Sequence, residues 1–264
     1  MEFCIISPIA HLERYATLSR THLVLAQYLY NDKYFSFYDE RRRAGDTLIL
    51  DNGAYENTRP CDIGQYLNWI KNLQPHVVVL PDILRRNWLR TTSASLRFLD
   101  ACAHGFNRGY SPEWMFVPQC ENTGDEFYSG VPKVLLDGRV GHHVTWIGLG
   151  RYLNELPYHG THYNHRVQKA MWMQDNYPHI KVHALGMAAG DTAELKPLAE
   201  AGVRSIDSSA PVWRGLSGYS LKGNDRIKWQ TEGTPCNFHS TESYHGNELL
   251  IAANLEACNV NTTV

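Results

Sequence analysis

Three aspartates stand where apolar runs of this chain end. "TLILD" closes on Asp51, "VVVLPD" on Asp82 and "VRSID" on Asp207, while "WMFVPQ" closes on Gln119. A carboxylate can attack an electron-poor carbon, carry a proton, or accept hydrogen bonds from a ligand's N–H groups. Paired on one site, carboxylates suit glycosidic chemistry, in which one attacks the anomeric carbon and another moves protons. Two further runs end on glycine, "TWIGLG" at Gly150 and "KVHALG" at Gly186. A phosphate-cradling glycine loop, a Ser-His-Asp order and the H-E-x-x-H metal motif are all absent from the sequence.

The segments that must position these residues alternate between short β-branched runs and stretches of helical period, which reads as βαβ units around a parallel sheet. Strands are expected at Phe3–Pro8, Thr47–Asp51, Val77–Asp82, Trp114–Gln119, Val144–Gly150, Lys181–Gly186 and Arg204–Asp207. "HLVLAQYL", His22–Leu29, reads equally as an eighth strand or as helix. Helices are expected at Asp62–Leu73, Asn87–His104, His165–Tyr177 and Asp191–Gly202, the last with Asp191 as N-cap, Glu194 three residues later and Gly202 as its stop. Eight strands buried on both faces predict a (β/α)₈, TIM-like barrel over residues 1–232, a single domain with a short C-terminal extension over 233–264. The alternative, a doubly wound open sheet, usually carries a glycine-rich turn after its first strand, and "ISPIAH" has none. In such barrels the loops at the C-terminal ends of the strands build the active site. Asp51, Asp82, Asp207 and Gln119 are therefore expected to converge on one mouth. The alternative for each acid taken singly is a loop residue or helix cap.

With 264 residues, 43% of them hydrophobic, the chain can bury a large core. It carries no run near the ~20 apolar residues a membrane span needs and no signal-peptide pattern, so a cytoplasmic protein with no membrane partner is expected. The six cysteines form no C-x-x-C pair, which favours thiols over disulfides. A net charge of -2 excludes binding nucleic acid by bulk charge alone and leaves local patches: Arg41–Arg43, Arg85–Arg90, and the stretch Trp213–Trp229. That last stretch sets Arg214, Lys222, Arg226 and Lys228 against Asp225, interleaved with Trp213, Tyr219 and Trp229. Such a pattern suits phosphate contacts and base stacking, or else a core face with solvated charges.

"LDNGAYE" resembles the D-S-G-G-[FY]-Q motif of tRNA-guanine transglycosylases. "LPDI", "VPQ", "IGLG", "HALG" and "SIDSSAP" follow in that family's order, over residues 45–215. The short chain is most similar to the DNA-acting members of the DpdA type, which insert 7-deazaguanines into DNA. The resemblance implies Asp207 as the nucleophile at C1′ and Asp51 as general acid/base. It implies Asp82 as acceptor for the purine N1–H and amine, with Gln119 and the Gly148 N–H on the O6 side. Tyr55 and Leu185 would sandwich the base, with Gly186 beside them. Implied partners are DNA, guanine and a 7-deazaguanine such as 7-cyano-7-deazaguanine; a tRNA substrate or a barrel glycosidase is the alternative.

Departures from the family pattern bear on the pocket and on metal. Ala54 replaces the second glycine of D-S-G-G, and Cys120 replaces the glycine after the glutamine, so either could reshape the pocket near the 7-substituent. No cofactor is required for the implied chemistry. The family's C-x-C-x-x-C with a distal His is absent; Cys236, His239, His245 and Cys258 are the remaining candidates for zinc, and His159, His162 and His165 form a second, loop-like cluster. Without the zinc subdomain, a usual dimerisation element is missing, and the oligomeric state stays open.

Overall fold

The structure, a computed structural model, describes residues 1–57, 60–102, 109–154, 165–187, 192–221 and 248–258. Eight strands alternate with helices: β1 (Glu2–Ile5), α1 (Leu12–Tyr15), β2 (Thr21–Leu25), α2 (Asp32–Arg43), β3 (Thr47–Asp51), α3 (Ala54–Asn57), α4 (Ile63–Leu73) and β4 (Val77–Val79). Next come α5 (Trp88–Cys102), β5 (Glu113–Phe116), α6 (Glu126–Leu136), β6 (Val144–Gly150), α7 (His165–Asn176), β7 (Lys181–Leu185), α8 (Leu195–Glu200), β8 (Ser205–Ser208), α9 (Ala210–Leu216) and α10 (Glu248–Ala257). The parallel sheet runs β1-β8-β7-β6-β5-β4-β3-β2, a nearly closed (β/α)₈ barrel. Its ladder stops between β1 and β2. There the Ser19 hydroxyl donates to the Phe3 carbonyl (2.7 Å) across the seam.

Three strands end earlier than the apolar runs suggest. β1, β4 and β5 stop at Ile5, Val79 and Phe116, and Pro8, Pro81 and Pro118 lie just beyond them. Proline has no N–H to give a ladder, so each run leaves the sheet and continues as rim. This is what lifts Asp82 and Gln119 off the strands and into loops. β7 stops one residue early, at Leu185, and β8 is displaced by one, to Ser205–Ser208. The ambiguous segment resolves as both forms: Thr21–Leu25 is strand, and Ala26–Tyr28 is a 3₁₀ turn.

Helix α4 starts where Asp62 accepts the Gln65 N–H (3.1 Å), a side-chain cap. The expected helix at 191–202 is instead a 3₁₀ turn (Thr192–Glu194) followed by α8, with Gly202 at φ +78° ending it. Glu194 does not cap that helix; it is buried against Arg166, as described below. Asp191 and His104 lie outside the described residues. The Arg41–Arg43 run, read as a candidate nucleic-acid patch, closes α2 immediately before β3, on the end of the barrel opposite the C-terminal rim. There Arg42 and Arg43 pair with Asp39 (3.0 and 2.5 Å), complementing the helix terminus.

The last described helix, α10, packs on α9. Gly215 has no room for a side chain, because a Cβ would lie 2.3 Å from Ile251. Asn254, fully buried, donates to the carbonyls of Pro211 (3.2 Å) and Tyr219 (3.0 Å) and accepts the Leu221 N–H (2.7 Å). Among the described residues no helix is long and apolar enough to cross a membrane.

Candidate functional site

A pocket of about 190 Å³ opens at the C-terminal rim. Asp51, Tyr55, Asp82, Gln119, Leu185, Gly186 and Asp207 all line it. Strand periodicity explains the convergence. Successive side chains alternate between barrel interior and helix layer, so Leu23 and Leu25, two apart in β2, both face the pocket, while β3 contributes Asp51 at its last position and β8 contributes Asp207 and Ser208 at its end.

Depth along the strand, not parity, separates two glycines of β6 that share one face. Gly148 does not line the pocket; Gly150, two residues on, does. Gly148 sits one layer down, where a Cβ would lie 2.9 Å from Val117, 3.0 Å from Leu185 and 3.1 Å from the Met115 sulfur. Its role there is to let those side chains fill the barrel. Of the two departures from the family pattern, Ala54 lines the pocket. Cys120 does not: it is fully buried, and its N–H donates to the Tyr152 hydroxyl (3.1 Å).

Asp82 is 4% exposed and held on both oxygens. The Asn52 amide donates to Oδ1 (2.8 Å) and the Gln119 amide to Oδ2 (2.5 Å). Burial pushes its carboxyl up to about 6, against the lowering effect of those two donors. Gln119 in turn accepts the Arg85 N–H (3.1 Å), and Asn52 accepts the Ala54 N–H (2.8 Å), so both amides are oriented. Asn52 was not singled out from sequence, although D-N-G is a pattern in which an Asn side chain bonds the backbone two residues on. Gly53, at φ +73°, permits that turn, and its N–H donates to Asp51 Oδ2 (2.8 Å).

Asp207 is also 4% exposed. Its Oδ1 accepts two bonds, from His183 Nε2 (3.0 Å) and from the Gly186 N–H (3.0 Å). His183 is fully buried, and its Nδ1 lies 2.8 Å from the Ser205 hydroxyl. Sequence reading passed over His183 as a letter inside "HALG". The available signal was a histidine at an inward position of a strand whose neighbour carries an inward acid.

Gly186, at φ +71°, is braced from behind. Its carbonyl accepts Arg166 Nη1 (2.6 Å), which also reaches the Leu185 carbonyl (3.0 Å). Arg166 is fully buried and paired with buried Glu194. The pair clamps the ends of β6 and β7. Arg166→Met is therefore expected to cost about 3–5 kcal/mol, because it breaks a buried ion pair by removing one partner. Chemical denaturation measures this, and Arg166→Met with Glu194→Leu should recover much of the loss. A single-variant cost below about 1 kcal/mol would show that the pair braces nothing.

Tyr55, 56% exposed on α3, and Arg151, just after β6, meet across the mouth. The guanidinium lies 4.8 Å from the ring centroid and donates to the hydroxyl. Arg151 is, after Asn52 and His183, a third residue that sequence reading missed.

Other expected residues fall elsewhere. His159, His162, Lys222, Asp225, Arg226, Lys228, Trp229, Cys236, His239 and His245 lie outside the described residues. His165 is buried at the start of α7, and Cys258 is buried beside α10, its thiol pushed up to about 12 by that burial. Among the described residues, no group of three or more His, Cys, Asp or Glu is placed to hold a metal ion.

Fold and pocket together define a class: a (β/α)₈ barrel with three carboxylates lining one rim pocket. Compared with known proteins, the chain matches no family model and no curated protein.

Proposed function

We propose that the protein exchanges guanine in DNA for a 7-deazaguanine such as 7-cyano-7-deazaguanine, through a glycosyl ester on Asp207. The observation that carries this reading is that three aspartates with different hydrogen-bond surroundings line one pocket. Asp207 has Oδ1 occupied by two donors, which leaves Oδ2 for C1′. Asp51 reaches the same pocket from β3 and can serve as proton carrier. Asp82, buried and braced by two amides, suits the N1–H and amine edge of a guanine. Tyr55 and Leu185 supply faces for a flat base.

The steps balance. Oδ2 of Asp207 bonds C1′ as the C1′–N9 bond breaks, and guanine takes that electron pair together with a proton from Asp51. Asp51 then removes the N9 proton of the incoming base, whose nitrogen attacks C1′ and returns the C1′–Oδ2 electron pair to Asp207. Two inversions at one carbon retain the β configuration.

A polynucleotide substrate is supported by the rim. Arg85, Arg86 and Arg90 are exposed in the loop and first turn after Asp82, on a chain whose net charge is -2. Arg86 and Asn87 both reach Glu121 (3.4 and 3.2 Å), joining this loop to the one after β5. Arginines beside a base pocket suit a phosphodiester backbone.

The test is direct. Purified protein, labelled 7-cyano-7-deazaguanine, and DNA or tRNA should yield labelled DNA nucleosides by mass spectrometry, with activity falling steeply as salt rises. Label in tRNA alone would replace DNA by tRNA in this reading. Release of guanine without incorporation would make the protein a glycosidase.

Acidity gives a further expected result. Base binding needs the Asp82 carboxylate, and burial holds its proton up to about 6 rather than 3.8. Affinity for the free base should be flat above pH 7 and fall about tenfold per unit below about 6. The stability linkage has the opposite sense. Asp82 favours the folded state below its unfolded value of 3.8, and that contribution is lost as pH rises through about 6. Calorimetric titration between pH 5 and 8 checks the binding arm; an affinity unchanged at pH 5 would remove Asp82 from base recognition.

A further inference from the structure

We infer that His183, oriented by Ser205, makes Asp207 the leaving group of the second displacement. The inference rests on the proposed base exchange and concerns which of its two steps this buried histidine serves. As a carboxylate, Asp207 can only accept, so the ring nitrogen 3.0 Å from Oδ1, Nε2, carries the proton. Nδ1 must then accept, and the Ser205 hydroxyl 2.8 Å away donates to it. One serine thus fixes the tautomer and the ring plane. The Gly186 N–H is the second donor on the same oxygen.

Those donors act differently on the two steps. In the first, Oδ2 attacks C1′ while Oδ1 keeps its two bonds, which draws electron density from the nucleophile. In the second, the C1′–Oδ2 bond breaks and its electron pair returns to the carboxylate, whose negative charge the same donors stabilise. Without the His183 donor, Asp207 would be a stronger nucleophile and a poorer leaving group. Water cannot substitute, because His183, Ser205 and Cys4, which pairs with Asp207 across β1 and β8, are all fully buried. His183 is a positioning residue: it touches Asp207 and not the substrate.

The experiment quenches the enzyme in denaturant during turnover on DNA with 7-cyano-7-deazaguanine. It measures exchange rate and the fraction of enzyme held as protein–DNA adduct in wild type, His183→Phe, His183→Gln and Ser205→Ala. His183→Phe should slow exchange roughly 10- to 100-fold, the worth of a hydrogen bond to a charged group, while its adduct fraction rises above wild type. Ser205→Ala should move both readings in the same direction by less. His183→Gln, which keeps a donor, should lie nearer wild type. A merely structural role predicts that exchange and adduct fall together, and that pattern in Ser205→Ala, or in folded His183→Phe, overturns the inference. Exchange by wild type without any adduct, or with adduct persisting in Asp207→Asn, would instead overturn the covalent reading on which it rests.

Discussion

Asp207→Asn is expected to abolish base exchange, by on the order of 10⁴-fold or more, and to leave no denaturant-resistant adduct with DNA. An amide keeps the shape of the side chain and can still present an oxygen to His183 and the Gly186 N–H. It cannot form the glycosyl ester. The variant should therefore fold and still bind free base, because Asp82, Gln119 and Asn52 are untouched. Intact mass spectrometry after quenching, together with exchange of labelled guanine, reads both consequences. Exchange at a near-normal rate would end the assignment of Asp207 as nucleophile.

Asp51→Asn should rank next, slowing exchange about 10²–10⁴-fold, the usual worth of a positioned general acid/base. Asn can still accept the Gly53 N–H, so the D-N-G turn should persist. Affinity for 7-cyano-7-deazaguanine should change little, since proton transfer and edge recognition belong to different carboxylates. Single-turnover rates alongside equilibrium binding separate the two. An equal loss in both would recast Asp51 as a recognition residue.

The two aspartates also mark how far sequence reaches here. Both were legible because a strand that ends on an acid signals it locally: "TLILD" and "SID" carry apolar character and terminus within a few letters. Asp82 and Gln119 were legible as rim residues for the same reason, although the strands before them stop three residues earlier than expected. The prolines at 81 and 118 were visible in the sequence, and their missing N–H groups could have set those bounds. Gly148 does not line the pocket, whereas Gly150 does. Both glycines of "IGLG" share one face of β6, and only their depth in the barrel puts Gly150 rather than Gly148 at the rim.

What the chain's letters determined by themselves was therefore local in origin: seven buried parallel strands and an ambiguous eighth, the helices near α4, α5, α7 and α8 but not α2 or α6, and acids at strand ends that must share one rim. Tertiary structure decided everything that depends on register between strands. Asp207 meets His183 from 24 residues away, Asp82 meets Asn52 from 30 and Gln119 from 37, and Arg166 finds Glu194 across 28. No periodicity within one segment encodes such pairings. They follow from the stagger of neighbouring strands in a nearly closed barrel, which fixes the inward side chain that stands beside each acid and the oxygen it leaves for the pocket.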